Sequence, residues 1–387
     1  MANRNLGEAK KAKNDEFYTQ YADIQKEVNA YLEYDHDVFK GKTILLPCDD
    51  PEWSNFTLFF AQNFTKFGLK KLISTSYAAE SKNFKHVWQP SLFEQESPQF
   101  DPDKTKIKGK VFVLTRGKAK TDIVDHKDIK WKYLEGDGDF RSDEVKALRD
   151  EADIIVTNPP FSLFREFLAW ILDGRAVSMK PPQPKKFLII GNMNAITYKE
   201  VFPLIKENRM WLGESIHSGD REFAVPDEYP LEAAGCRYDP NGKRFKKYIR
   251  VKGMRWFTNL DHGRRHRPLE LMTMADNIKH STHKELRGIG YKRYDNYDAI
   301  EVPYTDAIPS DYDGVMGVPK SYLDKYCPEQ FEIIGCAEGE SGRELGLKPF
   351  DRALKKLNPS LRDGQLYYME NGVPVKPYAR ILIRRRG

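Results

Sequence analysis

At residues 153–164 the chain reads DIIVTNPPFSLF, an apolar run that ends against an asparagine, two prolines and a phenylalanine. Asn158 offers a side-chain carbonyl, Pro159 has no N–H and presents an acceptor carbonyl, and Phe161 offers a flat ring. Pro159 and Pro160 fix their own φ and restrict the residue before each, so the acceptors are held with little entropy left to lose. Two convergent acceptors and a stacking ring suit a planar exocyclic NH2 group. Hydrogen bonds to both of its N–H groups draw the amine out of conjugation and aim its lone pair at an electrophile. No strong base is needed, because the proton can leave after the new bond has formed. Read without chemistry, the same segment is only a stiff strand-to-helix turn.

The elements around this corner place it. Residues 153–157 have the pattern of a buried strand, and Ser162 is predicted to cap a helix with Leu163, Phe164, Phe167, Leu168 and Ile171 on one face. Residues 158–161 therefore fall at a strand's carboxyl edge, where ligands bind in open α/β sheets. Further strands are predicted at 43–47, 71–76, 131–135 and 186–191, alternating with amphipathic helices. That alternation marks a mostly parallel sheet covered on both faces. Ser54 is the predicted cap of a helix that ends at Gly68, and 197–200 has capping-box spacing for a helix to Lys206. Residues 79–130 read as a polar, proline-punctuated insertion with one short strand at 111–114, whereas 211–214, 221–225 and 254–258 read as antiparallel edge strands that carry the first domain to residue 262. Beyond it, 294–323 reads as loops and short strands.

Composition bounds the possibilities. A chain of 387 residues with 40% hydrophobic content is long enough for two domains, and no apolar run reaches the roughly 20 residues a membrane span requires. A lysine-rich start without an apolar segment predicts a cytoplasmic protein. Cys48, Cys236, Cys327 and Cys336 stand far apart, and neither His262 with His266 nor His280 with His283 has a completed ligand set, so no metal site is expected. The net charge of +6 is modest, but basic residues come in bursts at 10–13, 243–255, 264–267 and 384–386. Phe245, Tyr248, Trp256 and Phe257 interleave them, which favours a nucleic acid as partner over a merely solvated face.

Several blocks stand in one order along the first two-thirds: DEFYTQ (15–20), CDDPEWSNF (48–56), GDGDFRS (136–142), TNPPFSLFREF (157–167), IIGNMNA (189–195), KEVFPLIKE (199–207) and WFTNLDH (256–262). The corner resembles the (Asn/Asp/Ser)-Pro-Pro-(Tyr/Phe/Trp) signature of amino-methyltransferases that use S-adenosylmethionine. The whole set resembles the EcoRI-type adenine-specific DNA methyltransferases over most of residues 10–262. The resemblance implies an α/β, Rossmann-like methyltransferase domain with a mostly parallel sheet over 1–262, and a smaller target-recognition and DNA-binding region over 263–387. It implies transfer of a methyl group from S-adenosylmethionine to the N6 amino group of adenine in double-stranded DNA after base flipping. Asn158, Pro159, Pro160 and Phe161 are then catalytic, with Phe161 stacked on the adenine. Tyr18 and Thr19 line the methionine end of the cofactor, and Asp139 and Phe140 meet its adenine. In place of the usual glycine-rich first loop stands PCDDPEWSNF, so Cys48, Asp49 and Asp50 are all candidate cofactor contacts, with the choice among them open. A cognate restriction endonuclease sharing the same site is a further partner the resemblance leaves open.

Other readings use the same residues. A cytosine-N4, ribosomal-RNA or glutamine methyltransferase also handles a planar NH2, and a DNA-binding protein on a decayed methyltransferase fold needs no catalysis at all. Pro102 and Asp103 with Glu144 and Lys146 match the loose pattern of a metal-dependent nuclease, although Glu144 and Lys146 fall in a predicted helix where such a site calls for a strand.

Overall fold

A computed structural model describes residues 18–78, 97–116, 128–176, 183–217, 220–225, 236–242 and 247–387. The chain divides into two compact units: residues 1–193 with 213–262, and residues 194–212 with 263–387. Residues 194–212, expected inside the first domain, thus group with the second unit.

In the first unit β1 (Thr43–Leu46), β2 (Lys71–Thr75), β3 (Lys110–Thr115), β4 (Trp131–Tyr133) and β5 (Ile154–Thr157) stand in the spatial order β4-β3-β2-β1-β5, followed by Lys186–Asn192 and Met254–Thr258. β1 runs parallel to β2 and β5, and β5 parallel to Lys186–Asn192. Every residue of β1 and of β5 is buried, as near-continuous apolar runs in a sheet covered on both faces require. The core gathers Ile44, Leu46, Leu72, Ile154, Val156 and Leu188 from the strands with Phe56, Phe59 and Phe60 from the helix Asn55–Gln62. Ser54 caps that helix as its sequence predicts, its Oγ accepting from Phe56 N at 3.0 Å. Behind the sheet, helix Tyr21–Tyr34 buries Glu27, whose carboxylate accepts from Tyr31 Oη and from the amides of Glu214 and Ser215 at 2.7, 2.9 and 2.7 Å. Burial pushes the pKa of that carboxyl up.

Three sequence expectations are corrected. The strand at 111–114 does not sit in a free-standing insertion, because β3 lies antiparallel between β2 and β4 within the main sheet. The stretch 221–225 is not an edge of that sheet. As Asp220–Val225 it joins Lys247–Lys252 and Cys236–Tyr238 in a separate three-stranded antiparallel sheet. The helix expected to start at Ser162 begins later: Ser162 is exposed within a 3-10 turn, Phe161–Leu163, and the helix Phe164–Asp173 begins after Leu163.

The basic burst at 243–255 is sorted by strand alternation. Over its described part, Ile249 and Val251 are buried while Arg250 and Lys252 are exposed. Arg255 is itself buried and donates to the carbonyls of Met254 and His217, and Trp256 and Phe257 belong to the interior. Phe245 lies outside the described residues.

The second unit centres on a four-stranded sheet in the order Ile300–Glu301, Met316–Pro319, Arg380–Arg385, Phe331–Ala337. The loops and short strands expected over 294–323 are found there. Its buried ion pair, Arg380 Nη2 to Glu301 Oε1 at 2.6 Å, also receives Tyr294 Oη on Glu301. The predicted capping box at 197–200 is not used: the helix is Phe202–Lys206, with Pro203 in its first turn and no side-chain cap. No helix among the described residues is long and apolar enough to cross a membrane.

Gly191 explains the glycine of IIGNMNA. A Cβ there would lie 2.5 Å from Phe164 Cε2 and 2.9 Å from Phe257 Cε2, so the strand beside β5 can accept both rings only without a side chain. Gly191→Ala should cost about 1–3 kcal/mol through overpacking, read as a lower urea midpoint with unchanged slope; an unshifted midpoint would contradict this packing.

Candidate active site at the carboxyl edge

The strand order reverses between β1 and β5, since β2 lies on the far side of β1 and Lys186–Asn192 on the far side of β5. The crevice outside the carboxyl ends at such a switch point is where open α/β sheets bind ligands. Thr157 is the last residue of β5, so Asn158 stands at that point, and Asn158 and Pro159 are both buried. Phe161 opens the 3-10 turn, buried, its ring 6.5 Å from that of Phe223 at 76°. Phe223 was not anticipated from sequence, because it reaches the corner from a strand of the separate sheet.

That strand also brings the Tyr18–Thr19 pair into place. Ala224, next to Phe223, exchanges backbone hydrogen bonds of 2.9 and 3.0 Å with Tyr18. Thr19 is 3% exposed, its carbonyl accepts from Asn55 Nδ2 at 2.8 Å, and its buried Oγ1 has no hydrogen-bond partner among the described residues. Asn55 sits in the block that replaces a glycine-rich loop, and it ties that block to Tyr18–Thr19. A buried hydroxyl without a partner is costly unless something else satisfies it.

The three candidates after β1 have different surroundings. Cys48 is half-buried and not disulfide-bonded. Asp49 is buried, with Oδ1 accepting from Ser54 Oγ at 2.6 Å and Oδ2 from Thr157 Oγ1 at 2.5 Å. Asp50 accepts from Glu52 N at 2.8 Å and lies 3.4 Å from Lys110 Nζ, which also bonds Glu52 and sits 4.9 Å from the centre of the Trp131 ring. Sequence reasoning passed over Lys110, which is brought to this edge because β3 runs antiparallel to β2.

On the same edge GDGDF wraps tightly over β2. A Cβ on Gly138, at φ +82°, would fall 2.0 Å from Ser76 O, so the turn requires glycine. It presents Asp139, whose carboxylate is held by Arg141 Nε at 2.9 Å and Nη2 at 2.6 Å. Phe140 is buried edge-on against Phe167 and Trp170, at 5.2 and 5.6 Å, of the helix that follows the corner. The nuclease pattern does not assemble in this way. Glu144 lies on helix Asp143–Glu151 and accepts from the amides of Glu135 and Gly136 at 3.1 and 3.0 Å, while Pro102 and Asp103 open helix Pro102–Ile107.

A Rossmann-like α/β sheet with an Asn-Pro-Pro-Phe corner at its switch point defines a methyltransferase. Comparison with known proteins carries this further. The family described as adenine-specific methyltransferase EcoRI matches residues 5–386. The Type II methyltransferase M.EcoRI of Escherichia coli is 42% identical over 357 residues, covering 92% of this chain and 96% of that protein. Type II methyltransferase M.MpnI of Mycoplasma pneumoniae is 34% identical over 333 residues, 85% of this chain and 84% of its own. Type II methyltransferase M.MgeORF184P of Mycoplasma genitalium is 34% identical over 331 residues, with coverage of 85% and 84%. No solved structure matches significantly. The chain belongs to the EcoRI adenine-specific methyltransferase family and is a site-specific DNA methyltransferase.

Burial raises the Asp139 carboxyl, but hydrogen bonds and charge from Arg141 outweigh it and hold the pKa below its ordinary value. A carboxylate lowered in the fold contributes stability in full above its unfolded value, about 4, and loses it as pH falls through the folded value. Arg141→Ala should therefore move the Asp139 titration upward by NMR and narrow its stability gap to the unmodified protein below about pH 4. A gap unchanged by acidification would count against this pairing.

Proposed function

We propose that the protein transfers the methyl group of S-adenosylmethionine to the N6 amino group of an adenine rotated out of double-stranded DNA. The observation that carries this reading is the placement of Asn158, Pro159 and Phe161 at the switch point, with the acceptors stiffened by Pro159 and Pro160. The Asn158 side-chain carbonyl and the Pro159 carbonyl accept from the two N–H groups of the amine and turn its lone pair outward, while Phe161 stacks on the base. The amine's proton is released to solvent once the new N–C bond has formed.

The neighbouring residues fit the methyl donor. Among the described residues Thr19 Oγ1 is a buried hydroxyl without a partner, and Tyr18, Thr19, Cys48, Asp50, Asp139 and Phe140 come to one sheet edge from three segments. S-adenosylmethionine, when bound, supplies an electrophilic methyl group on a sulfonium centre. Tyr18 and Thr19 would hold its methionine end, Asp139 and Phe140 its adenine, and Cys48 and Asp50 after β1 its remaining polar groups. The second unit reads the target sequence, and exposed Lys and Arg neutralise phosphates. An endonuclease of the same specificity is the partner such an enzyme would protect against.

Incubation of the protein with labelled S-adenosylmethionine and DNA, followed by nucleoside analysis, should yield N6-methyladenine; N4-methylcytosine alone would overturn the choice of base. Asn158→Ala should lower kcat on the order of 10²–10³-fold with DNA affinity nearly kept, whereas near-normal turnover would refute the role of that side chain. Phe161→Ala should weaken capture of the extruded base by about 1–3 kcal/mol, seen in the fluorescence of 2-aminopurine placed at the target.

A further inference from the structure

We infer that Asp49 is a positioning residue of the transfer reaction, acting through Thr157 on Asn158, and not a ligand of the methyl donor; the inference rests on the reading of the corner given above. Asp49 is 4% exposed and fixed by its backbone before its side chain acts. Its N–H donates to Thr75 O at 2.9 Å, and its carbonyl accepts from Ser74 Oγ, which in turn lies 2.6 Å from Thr57 Oγ1. Thr75 Oγ1 donates to Pro47 O at 3.1 Å, so β2 secures the chain on both sides of Cys48.

From this anchored place the carboxylate spans two elements. One oxygen takes the hydroxyl of Ser54, which caps helix Asn55–Gln62, and the other takes the hydroxyl of Thr157, the last residue of β5. Hydrogen bonds of hydroxyls to a carboxylate are about twice as strong as neutral ones. Thr157 is joined by one peptide bond to Asn158, so fixing its side chain fixes where the asparagine begins. At the other end Ser54 is followed by Asn55, whose side chain holds the carbonyl of Thr19. One carboxylate thus sets the spacing between the segment proposed to hold the donor and the corner proposed to hold the acceptor. A misplacement of about 1 Å at reacting groups can cost on the order of 10²-fold in rate.

The test measures kcat, KM for S-adenosylmethionine and oligonucleotide affinity for Thr157→Val, Thr157→Ser, Asp49→Asn and the Asp49→Asn/Thr157→Val pair. Thr157→Val keeps shape and removes only the hydroxyl. It should lower kcat by about 10- to 100-fold, with KM and affinity changed less than about threefold, and Thr157→Ser should restore most of the rate. The paired variant should be no slower than the slower single one, because both changes break one link. Normal kcat in Thr157→Val overturns the inference, as does an Asp49→Asn enzyme whose KM for S-adenosylmethionine rises tenfold or more at unchanged kcat. If Asp49→Asn fails to fold, Thr157→Val and Thr157→Ser decide alone. Normal turnover in Asn158→Ala would instead remove the reading of the corner itself, whereas an inactive Asn158→Ala beside a normal Thr157→Val removes only this inference.

Discussion

Where parallel strands end, backbone and side-chain polar groups meet a dry interior and must be answered there. In this protein the answer at the ends of β1 and β5 is a set of hydroxyls gathered on one buried carboxylate: Ser54 and Thr157 on the side chain of Asp49, Ser74 on its carbonyl. Rossmann-like folds commonly use glycines at this position so that the backbone can approach a ligand closely. Here the loop after β1 carries Pro51, Glu52 and Trp53, and its path is fixed by side-chain hydrogen bonds. The rest of the edge is organised around that fixed point.

The proline-stiffened corner meets Phe223, and the Tyr18–Thr19 segment is held by Asn55 and by Ala224, the residue next to Phe223 along its strand. Further along, Gly138 lets the Asp139–Phe140 turn close over Ser76, and Phe140 leans on the helix that begins just after the corner. None of these residues is close to all the others in sequence. Tertiary hydrogen bonds, rather than local propensity, bring them to one place.

That difference explains what could be read before the structure. The corner was legible because proline and asparagine act locally, and β1, β2, β5 and Lys186–Asn192 because fully buried parallel strands are uninterrupted apolar runs. The helix after Ser54 was legible because capping is a contact between near neighbours. β3 was underrated since polar flanks made 79–130 look like a detour, while its partners lie about forty residues before it and some twenty after it. Phe223 and the anchoring of Asp49 by Thr157 were not legible, because each depends on a pairing across a long stretch of chain. The interleaved aromatics near residue 255 misled for a related reason: Trp256 and Phe257 continue into a strand of the main sheet and face its core, so their spacing reports burial and not a nucleic-acid surface.

The chain leaves its first unit after residue 193, returns at 213 and departs again after 262. No single contiguous stretch of coding sequence therefore holds the second unit whole. A transplant of the second unit has to carry residues 194–212 together with 263–387, two pieces of coding sequence that a recombination event must move in register.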